Sequence, residues 1–301
     1  MDRRLSHGTH GKAGTVMVFY RPDADCVARA NRLVEAAPCV VIDNTETAQD
    51  AALLGLDPRI RYVANGANLG VATAINQGIE LLIAQGCASA ILFDQDSEPS
   101  SQLLSELPRV LSEELARGRR VALVGPAYED ARLGGVAPFV RFDWFRLQRI
   151  APVGNMPIEV DFLISSGSCI NLDSWRSVGP MDGGLFIDFV DLEWCVRAKA
   201  KGYEVLGVPF VRLTHELGGE PIRILGRVYP GHSATRHYYM FRNAIALFGR
   251  AYVPRTWKSM ELMRLPVRLA IYGLFMTPRV EHVRMAMLGV WHGLRGKRGA
   301  L

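Results

Sequence analysis

The run Ala90-Ile91-Leu92-Phe93-Asp94-Gln95-Asp96-Ser97 decides how this chain is read. An apolar stretch of strand length ends in two aspartates spaced i, i+2. Side chains alternate along a strand, so the spacing predicts Asp94 and Asp96 on one side. Two carboxylates held together repel unless a cation sits between them. Mg²⁺ or Mn²⁺ bound to a phosphate group suits such oxygen ligands. A D-x-D pair alone is common by chance, and its weight here comes from the strand before it and the signals around it.

Working outward, apolar runs of strand length fall at 15–20, 39–42, 60–63, 88–93 and 121–124. Helical spacing fills 25–36, 70–85 and 100–117 between them. Strands alternating with helices predict an open, mainly parallel α/β sheet, whose ligands bind at the carboxyl ends of the strands. The loops after these strands (20–22, 43–44, 65–68 and 94–97) should therefore converge on one edge. Further on, 130–156 reads as a long loop or hairpin. Residues 162–172 read as a strand broken at Ser165-Ser166-Gly167-Ser168, 191–201 as a helix and 204–213 as a strand. Helices dominate from about residue 233.

Composition bounds the classes. Of 301 residues, 49% are hydrophobic, enough for a large core. The five cysteines are scattered and form no C-x-x-C pair, which argues against a thiolate zinc site and for buried, reduced thiols in a cytoplasmic protein. Residues 1–14 are polar and glycine-rich without an apolar core, so they predict a disordered tail and no secretory signal, with His7 and His10 incidental. No run of about eighteen apolar residues predicts a membrane span.

Charge is uneven. Residues 255–301 hold nine Lys or Arg against two Glu, a local net of +7 in a chain whose total is +5. Interleaved with Trp257, Leu262, Met263, Leu265, Leu269, Ile271, Leu274, Phe275, Met285, Leu288 and Trp291, these cations suit helices on an anionic membrane surface. A helical domain with a solvated basic face fits equally. No recognised nucleic-acid module accompanies the charge.

Three further segments carry candidate chemistry. Asn68-Leu69-Gly70 opens a helix whose free N–H groups favour an anion, although Asn68 as a plain helix cap fits too. This is neither G-x-G-x-x-G nor a P-loop. Asp188, Asp191 and Glu193 crowd into six residues. Asp191 falls at a helix start, where the dipole favours an ionised carboxylate able to take a proton from a hydroxyl. Glu193 and Arg197, spaced i, i+4, predict an ion pair, so Glu193 reads as structural. His215 follows a strand and can ligate metal or meet phosphate, or be a surface histidine.

In order, Asp43-Asn44, Asn68-x-Gly70, Asp94-x-Asp96, Ser166-Gly167, Gly179-x-Met181-Asp182, Phe186-Ile187-Asp188, Asp191-x-Glu193-Trp194-x-x-Arg197, Gly202-Tyr203, His215 and Tyr238-Tyr239-x-x-Arg242-Asn243 resemble glycosyltransferase family 2, in its bacterial rhamnosyltransferase branch. The resemblance covers about 15–247. It implies a GT-A fold, a Rossmann-like mixed α/β sheet flanked by helices, over 15–250. Residues 15–130 would form the nucleotide-sugar half, 131–250 the acceptor half and 251–301 a basic amphipathic helical extension. It also implies metal-dependent, inverting transfer from a nucleotide-diphosphate sugar, dTDP-rhamnose in this branch, to a lipid-linked or polysaccharide acceptor. Phe19, Tyr20 and Asp43 would meet the base, Asn68 and Gly70 the nucleoside, and Asp94 and Gly167 the donor. Asp96 and His215 would hold Mg²⁺ or Mn²⁺. Asp191 stands at the position of the general base, Asp188 and Glu193 stand beside it, and Arg242 would steady the leaving group. Val190 replaces a glutamate common in the family, and Tyr20-Arg21-Pro22 replaces a commoner Tyr-Asn. Rival readings are a nucleotidyltransferase, which lacks its basic glycine-rich loop here, and a non-catalytic sugar-nucleotide-binding subunit. The expected setting is the inner membrane face, reached through the C-terminus. A homo-oligomer is compatible with all of this, and no nucleic acid is expected.

Overall fold

A computed structural model describes residues 11–130, 135–143, 146–214, 219–224 and 227–301. The chain runs β1 (Ala13–Phe19), α1 (Ala24–Ala36), β2 (Cys39–Asp43), α2 (Ala51–Leu54), β3 (Arg61–Ala64), α3 (Val71–Ala84), β4 (Ser89–Asp94), α4 (Ser101–Ala116) and β5 (Val121–Asp130). Short strands follow: β6 (Gly135–Val136), β7 (Phe139–Phe142), β8 (Leu147–Ile150), β9 (Ile158–Val160) and β10 (Cys169–Asn171). Then come α5 (Leu172–Val178), α6 (Val190–Ala200), β11 (Glu204–Thr214), β12 (Gly219–Ile224) and β13 (Arg227–Gly231). Three helices follow these strands: α7 (Ala234–Phe248), α8 (Arg255–Phe275) and α9 (Arg279–Leu294).

Nine strands form one mixed sheet in the order β3-β2-β1-β4-β10-β5-β11-β9, with β6 on β5. β3, β2, β1 and β4 run parallel, so the loops after them reach one edge as predicted. β10 is antiparallel to both β4 and β5, so the segment leading into it arrives at that same edge. β7 and β8 form the hairpin expected within 130–156.

Alternation sorts β1 between two cores. Val16 joins Val40, Ile42, Ile75 and Ile79 on the face covered by α3, α5 and α6. Met17 and Phe19 join Leu33, Val41, Leu107 and Val110 on the face covered by α1 and α4. A third cluster ties α6 to the C-terminal helices through Leu192, Val196, Phe241, Trp257, Leu265 and Tyr272. All five cysteines are buried and free.

Three expectations need correction. The disordered tail expected over 1–14 does not include Ala13 and Gly14; residues 1–10, with His7 and His10, lie outside the described residues. Ala13 and Gly14 already pair with Ser89 and Ala90, because Gly14 packs where a Cβ would meet Leu82 at 2.5 Å. The strand expected over 162–172 shrinks to Cys169–Asn171, since Gly167 turns the chain at φ +75° and Asn171 caps α5. Asp96 does not continue the strand of Asp94. Gln95 and Asp96 form a turn closed by Ser97 N–H donating to the Asp94 carbonyl at 3.1 Å, so alternation does not set their directions.

Gly78 shows how tightly α3 lies on the sheet. A Cβ there would fall 2.3 Å from Val16 Cγ1, on a fully buried side chain. Alanine favours a helix interior over glycine by about 1 kcal/mol, but overpacking costs about 1–3 kcal/mol. Gly78→Ala is therefore expected to lower the urea midpoint. An unchanged or raised midpoint would show that the helix lifts off the sheet without cost.

Candidate active site

A cavity of about 570 Å³ opens at the carboxyl edge of the sheet, a size suited to a small ligand. Tyr20 follows β1, Asn44 follows β2, Asn68 and Gly70 precede α3, and Asp94, Gln95 and Asp96 close β4. Ser165 comes from the segment before β10. Residues 186–191 form a further wall, and Arg236 reaches in from α7.

Short polar links fix the sheet side. Tyr20 N–H donates to Gln95 Oε1 at 2.7 Å, and Gln95 Nε2 donates to the Tyr20 carbonyl at 3.2 Å. Asn44 Nδ2 donates to the Gly70 carbonyl at 3.1 Å. Asn68 Oδ1 accepts from Gly70 N–H at 3.0 Å, making a local turn; the helix cap position itself is Gly70. Gly70 has φ +84°, and a Cβ there would lie 2.7 Å from the Phe186 carbonyl. Its close neighbour is thus the backbone of the opposite wall, joined by Val71 N–H donating to Phe186 O at 2.8 Å.

That wall is strained. Phe186, Asp188 and Phe189 have φ of +67°, +64° and +62°, each a left-handed residue without glycine's freedom, costing on the order of 1–3 kcal/mol. α7 holds them. Asn243 Nδ2 contacts the carbonyls of Leu185, Ile187 and Asp188 at 2.7–3.0 Å. Arg242 donates to those of Gly184 and Leu185 at 3.0 and 2.8 Å.

The acids differ in environment. Asp188 pairs with Arg236 at 3.0 Å, yet burial outweighs the cation and raises its pKa. Asp191 is pushed up to about 6, first by burial and then by the neighbouring charges of Asp188 and Asp94, against the Leu192 N–H that it accepts at 2.8 Å. The dipole was expected to keep Asp191 readily ionised, but desolvation wins here. Glu193, 1% exposed, pairs with Arg197 at 2.8 Å and Arg250 at 3.0 Å, the structural role predicted for it.

The cavity brings together Tyr20, Asn68, Gly70, Asp94, Asp96, Asp188 and Asp191, and leaves out five expected residues. The Phe19 side chain is fully buried in the core, because alternation turns it away from the face of Val18. Asp43 is buried, accepting from Thr45 N–H at 2.8 Å and the Tyr62 hydroxyl at 2.8 Å; its neighbour Asn44 lines the cavity instead. Gly167 turns away, its N–H donating to Leu92 O at 2.6 Å. Glu193 lies on the inner face of α6. Arg242, 1% exposed, spends its guanidinium on backbone carbonyls and on Asn243 Oδ1, and Arg236, missed in the sequence, is the cation that lines the cavity among the described residues. Six residues at 100° each put these arginines on different faces of α7, a signal the sequence did carry. His215 lies outside the described residues.

No family model matches the chain. It is 27% identical over 288 residues to dTDP-rhamnosyl transferase RfbF of Shigella flexneri, covering 94% of this chain and 96% of that one. It is 19% identical to the low-salt glycan biosynthesis hexosyltransferase Agl10 of Haloferax volcanii, over 94% and 91% of the two chains. Among solved structures it resembles GalNAc-T7, crystallised with UDP, GalNAc and Mn²⁺, at TM-score 0.51 and 16% identity. That match covers 78% of this chain and about half (51%) of GalNAc-T7, and is a likeness of fold.

A carboxyl group whose folded pKa is raised contributes stability at low pH that is lost as pH rises through about 6. Asp191→Asn keeps an acceptor for Leu192 N–H and removes the buried charge. At pH 8 the variant should gain on the order of 1 kcal/mol, or about 2–4 °C in Tm. The gain should shrink toward pH 4. A Tm gain independent of pH would refute the desolvated carboxylate.

Proposed function

With a chain that is a GT2-like glycosyltransferase of GT-A-type fold, we propose transfer of rhamnose from dTDP-rhamnose, with inversion, to a hydroxyl of a lipid-linked or polysaccharide acceptor in cell-surface glycan assembly. The observation that carries this reading is one cavity holding Asp94 from the end of β4, Asp96 from the turn after it and Asp191 from α6. The donor assignment leans on the Shigella relative.

Asp191 acts as the base. Its raised pKa matches a group that takes a proton near neutral pH, and transfer should fall as pH drops through about 6. As the acceptor hydroxyl loses its proton to Asp191, its oxygen bonds to the anomeric carbon. The bond to the diphosphate breaks on the opposite side, its electron pair leaving with dTDP, so the centre inverts. Arg236 steadies the departing charge, oriented by Asp188. Tyr20 and Asn44 face the base, Asn68 and Gly70 the nucleoside. Asp94 and Asp96 fit Mg²⁺ or Mn²⁺, which takes one or two carboxylates plus substrate phosphates, and such an ion would neutralise the diphosphate. Among the described residues no group of three or more His, Cys, Asp or Glu is arranged to hold a metal by itself, and His215 is the proposed further ligand.

A thermal-shift panel of dTDP, UDP and GDP, each with Mg²⁺ or Mn²⁺, tests the donor site. dTDP with metal should raise Tm most, and Arg236→Ala should reduce that gain. Asp191→Asn should keep the gain and lose transfer by about 10²- to 10⁴-fold. A larger shift with UDP would change the donor, and full transfer by Asp191→Asn would end the base assignment.

We also assign the C-terminal helices a peripheral membrane contact. No helix among the described residues is long and apolar enough to cross a membrane. α8 and α9 instead expose Leu262, Met263, Val267, Leu274, Phe275, Met287, Trp291 and Leu294. The Met263→Glu, Val267→Glu double variant should bind anionic vesicles at least about tenfold more weakly. Undiminished sedimentation with vesicles would remove this part of the reading.

A further inference from the structure

We infer that the segment 298–301 is a clamp that positions the left-handed turn 186–189, and through it the base-bearing start of α6. The inference rests on the reading of Asp191 as base.

Backbone in left-handed conformation at Phe186, Asp188 and Phe189 persists only if its surroundings hold it there. α7 provides part of that hold through Asn243 and Arg242. The rest comes from residues more than a hundred positions further along the chain. Gly299 N–H donates to the Gly184 carbonyl at 2.8 Å, and the Gly299 carbonyl accepts from Arg242 Nη1. One buried guanidinium therefore bridges Gly299 to Gly184 and Leu185. Arg298 pairs with Asp182, whose Oδ1 also accepts Gly184 N–H at 3.0 Å at the foot of the turn. Leu301 N–H donates to the Tyr239 hydroxyl at 3.0 Å, and the Tyr239 ring stacks on Phe186 at 4.8 Å. The segment thus holds the approach to the turn directly at Asp182 and the Gly184 carbonyl, and reaches the Phe186 ring through Tyr239.

Two glycines make this geometry accessible. Gly299 has φ +79°, and a Cβ on Gly184 would meet the Arg298 guanidinium at 2.2 Å. Neither residue lines the cavity. The segment is also separable from the fold of α9. That helix is anchored on α7 upstream, where Gly289 and Gly293 lie so close that Cβ atoms would fall 2.4 Å from the Tyr238 carbonyl and 2.8 Å from the Arg242 carbonyl. Losing the clamp leaves α9 packed and strips Arg242 Nη1 of its Gly299 acceptor, a cost that relaxation of the turn relieves.

The test uses full-length protein carrying R298A, R298K, or R298A with G299P; proline removes the N–H donor and forbids φ +79°. Hydrogen exchange is read at Leu185, Phe186 and Ile187, whose amides donate within the turn at 3.0, 3.1 and 2.8 Å. In the double variant these should exchange at least about tenfold faster while α3 and β4 amides hold their rates. Its kcat should fall about 10- to 100-fold, well beyond any loss of dTDP affinity, because a misplaced base affects the chemical step first. R298K should recover most of the R298A loss. Unchanged exchange at 185–187 in the folded double variant overturns the clamp, as does a kcat loss matched by a proportionate loss of dTDP affinity. Exchange is read without substrate, so a wild-type chain that transfers no sugar sinks the proposed reaction and leaves the clamp to be judged on exchange alone.

Discussion

The backbone approach of Gly70 to Phe186 is the constraint on which the site depends. It joins two parts of the chain more than a hundred residues apart, one at the carboxyl edge of the sheet and one at the threshold of α6. The contact exists because residue 70 has no Cβ, sits at φ +84° and leaves Val71 N–H free to donate to Phe186 O. Asn44 holds the Gly70 carbonyl from β2, so the turn before α3 cannot swing away. Asp94 and Asp191 thereby share one frame, although no strand or helix contains both. A larger residue at position 70 would push on the Phe186 ring and on its backbone at once, and the backbone displacement would pass into the turn carrying Asp188.

Around that frame the protein tolerates two costs in one place: left-handed backbone at three non-glycine residues, and desolvated carboxylates at Asp188 and Asp191. Both are offset locally, by the Asn243 amide and the Arg242 guanidinium on carbonyls and by Arg236 on Asp188. Glu193, two residues beyond Asp191, shows the alternative. Arg197, Arg250 and Tyr252 surround its carboxylate, and such an acid is a joint between helices. Asp191 accepts the Leu192 N–H and lines the cavity. The number of side-chain partners, more than position in a motif, separates Glu193, which braces its neighbours, from Asp191, the acid proposed as base.

The sequence was legible wherever burial writes a period. The β1–β4 strands with α1, α3 and α4 came out within two residues of their bounds, because β1, β2 and β4 are continuous apolar runs buried on both faces and the apolar residues of the helices repeat at three to four. Convergence of the post-strand loops followed from topology alone. Legibility failed where direction is set by contacts distant in sequence. Phe19 and Tyr20 are neighbours on opposite faces, and the motif names both. Asp43 and Asn44 are likewise adjacent, and Tyr62 and Thr45 decide which turns inward. Asp96 escaped the alternation rule because the chain turns at Gln95. α2, a four-residue helix capped by Asp50, was too short to show a period. The clamp of 298–301 had no local signature at all: a polar, glycine-rich stretch reads as loose until the carbonyls it meets are known.

The C-terminal helices pose the remaining physical question. α8 is apolar on two faces. Trp257, Leu265 and Tyr272 point inward to the cluster shared with α6 and α7, while Leu262, Met263, Val267 and Leu274 point out. Those outer side chains are exposed, so they add nothing to this chain's own core. α9 repeats the pattern, with Met285 inside and Met287, Trp291 and Leu294 outside. Folding alone would favour polar residues at these positions. Charge then selects the environment. The region carries a net +7, and Glu261, one of its two acids, is buried against Arg268. A second copy of the same surface would bring like charges together, whereas an anionic lipid surface accepts cations and apolar side chains at once. That complementarity is the physical basis on which a peripheral membrane contact of α8 and α9 is proposed.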